Sequence, residues 1–139
     1  MKWVAAAAAA LLLAGCGPKR EISPDSGRDL YMSRCAMCHG ANGEGTHNLY
    51  PPLNGSAYMK GPPVRMAAII LDGMQGPVGR FNATMPGWRA NLSDAEIAAI
   101  MTWLRKAPIT PVEVSEVRVR TQARGAFWTA RELDSLSGR

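Results

Sequence analysis

The sequence predicts an all-α fold, a small helical domain with long loops, and three observations carry that prediction. Apolar residues recur at helical spacing in three segments, the stretches between them are rich in glycine and proline, and nothing between residues 26 and 107 sustains the alternation of a strand. A chain of 139 residues has room for one such domain with appendages at its ends. Three or four short helices leave a thin core, and small scaffolds of this kind are commonly held by a metal or a cofactor.

The N-terminal appendage comes first. Met1 and Lys2 make a short basic start, and Trp3 to Leu13 is an alanine- and leucine-rich apolar run. A membrane-spanning helix needs about 20 apolar residues, so this shorter run reads as the apolar stretch of a secretory signal. Leu13-Ala14-Gly15-Cys16 follows at once. It resembles the lipobox of bacterial lipoproteins, which implies cleavage before Cys16 and lipid on that cysteine; the plainer alternative is an ordinary signal with Cys16 removed or idle. Residues 1–15 are thus expected to be a lipoprotein signal peptide. Residues 16–26, polar and with prolines at 18 and 24, are expected to be a tether.

The helices come next. Asp25 or Ser26 is suited to cap a helix running through Gly27, Leu30, Tyr31 and Arg34 to Cys35. Residues 40–60 hold glycines at 40, 43, 45 and 55 and the pair Pro51-Pro52, so they read as loop. Helical spacing returns from Val64 to Met74, through Met66, Ala67, Ile69 and Ile70, with Gly73 or Gly76 available to end it. Residues 76–88 are again loop. Ser93-Asp94-Ala95-Glu96 has the spacing of a capping box, and Ile97, Ile100, Met101 and Leu104 supply the buried stripe of a helix ending near Pro108. These elements delimit a domain over 27–107.

The remaining residues, 108–139, form an extension whose structure the sequence leaves open. Val112, Val114, Val117 and Val119 alternate loosely with charges, and valine favours strand over helix, yet Thr129 to Glu132 again spaces like a capping box before Leu133 and Leu136. A helix pair packed on the domain and a docking element for a partner both fit.

The chemistry sits in Cys35-Ala36-Met37-Cys38-His39. Covalent attachment of haem needs two thiols that add to the two vinyl groups on one porphyrin edge and an imidazole that reaches the iron. On a helix, positions 35, 38 and 39 share one side. A redox-active Cys-x-x-Cys would be expected beside a strand–helix–strand pattern, and a zinc site would need a second ligand pair that His47, the other histidine, does not supply. The pattern therefore predicts one covalent haem c. The formal charge is +5, and haem propionates would offset part of it, which leaves too little basicity to argue for nucleic acid and favours an acidic partner surface or anionic lipid. No carboxylate dyad, nucleophile triad or phosphate loop is visible, so the chain is expected to be a carrier and not itself an enzyme.

A second axial ligand calls for a soft thioether or an imidazole, and Met59, Met66, Met74, Met85, Met101 and His47 are the candidates. Met66 and Met101 sit on apolar helix faces and suit a core role. Met59 and Met74 lie at loop edges. His47 is close to His39 along one glycine-rich loop. Met85 lies between helices and precedes Pro86.

With these residues in view, the chain resembles the class I cytochrome c family over residues 26–107. The resemblance rests on ordered features: Gly27 and Tyr31 on a first helix, Cys35 to His39, Pro51-Pro52-Leu53-Asn54-Gly55, Thr84-Met85-Pro86-Gly87-Trp88, and a closing helix with Trp103. It implies a helical domain wrapped around one covalent haem, with His39 and Met85 as axial ligands and the carbonyl of Pro51 accepting from the His39 ring. It also implies that Gly27 and Trp103 mark the crossing of the first and last helices. Trp88, and less so Tyr50, Asn54 and Arg80, are candidates to bond the haem propionates. The implied function is that of a mono-haem c-type cytochrome carrying single electrons in the cell envelope, between a redox donor and a redox acceptor. Lipid on Cys16 would hold it at the periplasmic face of a bacterial membrane. The rival readings are a haem subunit of an oxidase, nitrite reductase or dehydrogenase complex, and a gas or redox sensor with a weak or absent Met85 bond.

Overall fold

The computed structural model describes residue 22 and residues 24–136. The expected signal, Cys16 and residues 17–21 and 23 of the expected tether lie outside the described residues. Within them the chain is helical, with seven helices and isolated bridges in place of strands.

Helix α1 (Pro24–Arg34) starts earlier than the sequence suggests, so positions 25 and 26 lie inside its first turn and do not cap it. A proline fits there because the first-turn amide has no helical partner to lose. Helix α1 thus begins within the stretch expected to be tether. Its main neighbour is α5 (Asp94–Arg105). Gly27 sits at the crossing: a Cβ there would run into the Ala99 carbonyl and stand 3.1 Å from Cβ of Trp103. One turn on, Tyr31 is fully buried, its ring 4.6 Å from the Trp103 ring, and its hydroxyl donates to the Gly40 carbonyl at 2.6 Å.

A turn at Cys35 leads into the short α2 (Ala36–His39), and a further short helix, α3 (Ala57–Lys60), interrupts the long loop. Helix α4 (Pro63–Asp72) buries Met66 through Leu71 without a break, as expected of a helix enclosed on all sides. It ends two residues before Met74. Gly73, at φ +77°, turns the chain out of the helix, and Met74 continues as extended backbone. Helix α5 carries the expected capping box, in which the Ser93 hydroxyl accepts from the Glu96 amide and the Glu96 carboxylate accepts from the Ser93 amide.

The valine-rich stretch is helix, α6 (Pro111–Arg120). Thr110 and Glu113 form a second capping box, Pro111 takes the first helical position, and Val114 and Val117, one turn apart, are buried against α4 and α5. Burial of that pair outweighs the modest helix penalty of valine, while Val112 and Val119 are left in solvent. Helix α7 (Ala130–Ser135) buries Leu133 against α4, and Trp128 just before it is 6 % exposed. The described part of the extension therefore joins the same core as the helices before it.

Candidate functional site

Cys35, Cys38 and His39 meet on one helical turn. The amides of Cys38 and His39 both donate to the Cys35 carbonyl, at 3.1 and 2.9 Å, which fixes the three side chains relative to each other. Both thiols are free and half-buried. Burial, with Cys38 nearby, pushes the Cys35 thiol up to about 11. A redox-active pair needs the opposite, a thiol held low, so Cys35 is unlike the attacking thiol of such a pair.

Nδ1 of His39 lies 3.4 Å from the Pro51 carbonyl. That contact orients the ring and leaves Nε2 as the outward-facing nitrogen. Burial lowers the imidazole below its ordinary value, and the Pro51 carbonyl opposes this only in part, so the ring is neutral at pH 7, as a metal ligand must be. The loop is pinned to this turn twice more: the Thr46 hydroxyl donates to the Cys38 carbonyl at 2.8 Å, and the Gly45 amide to the His39 carbonyl at 2.8 Å. His47 stands exposed on that same loop, on the His39 flank of the site.

The structure sorts the methionines. Met66, Met74 and Met101 are buried in the core, and Met37 points into water at 90 % exposure. Met59 and Met85 pack on the core while keeping part of their surface open. Met85 is held by a pair of backbone bonds with Met74, N–H to carbonyl at 3.0 and 2.8 Å in the two directions. Three residues on, the Trp88 amide donates to the Ile70 carbonyl at 2.9 Å, and the Arg34 guanidinium lies 6.0 Å from the Trp88 ring centroid. Arg34 immediately precedes Cys35, so the loop bearing Met85 and Trp88 is brought to the cysteine turn. Tyr50 is half-buried, and Asn54 and Arg80 are exposed. The Asn54 amide is already used on the Asn42 carbonyl.

These residues fit a covalently held haem. The thiols are spaced one helical turn apart, the imidazole is neutral with one nitrogen spare, and a partly buried thioether lies on a neighbouring loop. Leu30, Met59, Met85 and Trp88, from α1, α3 and the loop, each keep apolar surface that a large flat ring would remove from water.

Three residues with a part in this arrangement escaped the sequence reading. Asp72, Arg89 and Trp128 tie the loop after Met85 to the extension: Arg89 makes a two-point ion pair with Asp72 at 2.6 and 3.0 Å, and the Trp128 indole N–H donates to the same carboxylate at 3.3 Å. No local spacing marks them, because they are far apart in the chain.

Residues 23–104 match the family model described as cytochrome c oxidase, cbb3-type, subunit III. The chain belongs to that family of cytochrome c domains. It is a class I cytochrome c, with the small all-α fold of that class, a covalent haem c as cofactor and electron transfer as its work. Among its relatives, cytochrome c-552 of Thermus thermophilus is 29 % identical over 129 residues, which cover 79 % of this chain and 83 % of that one. The cytochrome c subunit of a quinone alcohol dehydrogenase from Gluconobacter oxydans is 30 % identical over 86 residues, 59 % of this chain. The corresponding subunit from Komagataeibacter europaeus is 30 % identical over 103 residues. The chain spans only 18 % and 22 % of the length of these two subunits. Among the described residues no helix is long and apolar enough to cross a membrane.

Proposed function

We propose that this chain is a lipid-anchored mono-haem electron carrier whose haem is bonded to Cys35 and Cys38 and ligated by His39 and Met85. The observation that carries the reading is the cysteine–histidine turn, with two free half-buried thiols and a neutral imidazole whose Nδ1 is already engaged by Pro51. Cys35 and Cys38 would hold the haem through two thioether bonds, each the product of S–H addition across one vinyl group, with no leaving group. When bound, the haem supplies an iron that passes between ferrous and ferric by one electron.

The residues do the rest. His39 and Met85 would be the two protein ligands of the iron, which would disfavour small ligands and keep rearrangement small on electron transfer. Methionine ligation favours the ferrous state and raises the potential. Pro51 holds the His39 ring plane. Trp88, whose amide is fixed to α4, would offer its indole N–H to a propionate. Residues 1–15 act as the signal, Cys16 carries the lipid, the tether joins it to the cytochrome domain, and the described part of the extension packs on that domain. The location is the periplasmic face of a bacterial membrane. The donor and acceptor are redox proteins, and the net positive charge favours acidic docking surfaces.

Attachment is tested by mass and by the pyridine haemochrome of protein matured with haem-attachment machinery. Wild type is expected to carry one haem through two thioethers, Cys35→Ser through one, and the double Cys35→Ser/Cys38→Ser variant none. Haem that survives the double variant would contradict the assignment. In cells, Cys16→Ser is expected to move the protein from the membrane fraction to the soluble fraction.

A second reading, a haem subunit of a larger dehydrogenase, draws on the similarity to the alcohol dehydrogenase subunits. It predicts stable co-purification of the lipidated chain with a quinone-dependent dehydrogenase, where the carrier reading predicts a chain that purifies alone.

A further inference from the structure

We propose that the C-terminal extension is a clamp on the distal ligand loop, with Trp128 as the positioning residue that keeps Met85 on the iron; this rests on the Met85 assignment above. The segment 73–75 is the middle of a three-segment ladder. On one edge Met74 exchanges both backbone bonds with Met85. On the other, the Gln75 amide donates to the Trp128 carbonyl at 2.8 Å and the Trp128 amide to the Gly73 carbonyl at 3.0 Å. Met85 therefore reaches the extension through two pairs of hydrogen bonds and one intervening segment.

Side chains repeat the link. Trp128 is 6 % exposed, and its indole N–H donates to Asp72, whose side chain is 8 % exposed and also grips Arg89, four residues beyond Met85. Arg89 donates in turn to the Arg118 carbonyl on α6 at 3.0 Å and to the Thr121 hydroxyl. Arg118 answers by donating to the carbonyls of Arg89 and Leu92, both at 2.7 Å, and pairs with Asp94 at 2.6 Å. The Arg89 end of the segment 85–89 is thus held directly by the extension and the Met85 end through 73–75, although no helix lies between α4 and α5 to hold them.

A loop-borne ligand leaves its metal whenever the loop opens locally, and the opening equilibrium sets how readily an added ligand enters. Without Trp128 one edge of the ladder loses its packing and Asp72 loses a donor. The loop then opens at a smaller cost than global unfolding, and the Met85 bond becomes easier to displace while the His39 side is untouched.

The test is titration of the ferric holoprotein with imidazole, read from the visible spectrum, alongside urea unfolding. Trp128→Ala is expected to bind imidazole about tenfold more tightly than wild type, the equivalent of one lost buried hydrogen bond. Trp128→Phe, which keeps a buried ring but drops the indole donor, is expected to shift less and in the same direction. It stands in if the alanine variant does not fold. Ile97→Ala, a core cavity on α5, which contributes no backbone bond to the ladder, is expected to lower the urea midpoint without changing imidazole affinity. Trp128 variants that bind imidazole like wild type, or no more tightly than Ile97→Ala, would overturn the clamp. The near-infrared sulfur-to-iron band separates the two levels: its absence from wild type overturns the Met85 assignment and the clamp together. A wild-type band lost in Met85→Ala, with imidazole affinity unmoved by Trp128→Phe and Trp128→Ala, overturns the clamp alone.

Discussion

Gly27 shows what a single residue decides. Its missing side chain lets α1 lie directly on the Ala99 carbonyl, and Gly27→Ala would force the two helices apart or strain both. Overpacking of this kind costs about 1–3 kcal/mol, so the urea midpoint of the holoprotein is expected to fall by the corresponding amount while the visible spectrum stays the same. Residue-level legibility follows chemistry. Cys35, Cys38 and His39 could be read from spacing because covalent attachment and ligation demand neighbours on one turn. Met85 could not be chosen from spacing alone: five methionines and His47 competed until family order singled it out, and burial then removed Met66, Met74 and Met101 from contention. Asp72, Arg89 and Trp128 left no mark, since a contact between residues tens of positions apart imposes no local pattern.

At the scale of elements, the starts of α5 and α7 were legible because a capping box is written within four residues, while the start of α1 was placed too late. Ser93 to Glu96 and Thr129 to Glu132 were both marked by spacing, and each glutamate accepts from the amide of its capping residue. Replacing Ser93 by alanine is expected to cost about 1 kcal/mol in denaturant unfolding. The caps also make stability depend on pH. The Glu132 carboxyl is held at about 2, first by the side-chain bond from Arg124 and then by Thr129, against an ordinary 4.5. A carboxyl lowered in the folded state stabilises above its ordinary value and loses that contribution as pH falls from about 4.5 toward 2. Glu132→Gln should therefore flatten the decline of the urea midpoint over that window and leave its slope above pH 5 unchanged. A wild-type slope retained in the variant would count against the cap. Helix α6 was harder to read, because valine propensity and loose alternation pointed to strand, and only the burial of Val114 and Val117 by distant helices settles it. The end of α4 moved from Met74 to Asp72 because Gly73 turns the chain, which freed Met74 to pair with Met85.

For the whole molecule, the all-α class was legible because helical spacing and loop punctuation agree along the entire domain. The standing of the extension was not, since a surface appendage and a core-completing helix pair share the same amphipathic pattern until the other half of the contact is known. Leu133, Trp128, Val114 and Val117 join the core formed by α4 and α5, and haem supplies apolar bulk that a domain of this size lacks. Chain produced without haem attachment is expected to show weaker helical circular dichroism and a lower, broader thermal transition than the holoprotein; equal transitions would show that the cofactor is not part of the core. The central claim is a carrier whose iron lies between His39 and Met85. Its most direct test is the visible and near-infrared spectrum of the haem-loaded protein, oxidised and reduced, for wild type and Met85→Ala. Sharp reduced bands of low-spin c haem, with a weak near-infrared sulfur-to-iron band present in wild type and lost in Met85→Ala, are the expected result, and a band that persists in Met85→Ala would contradict it.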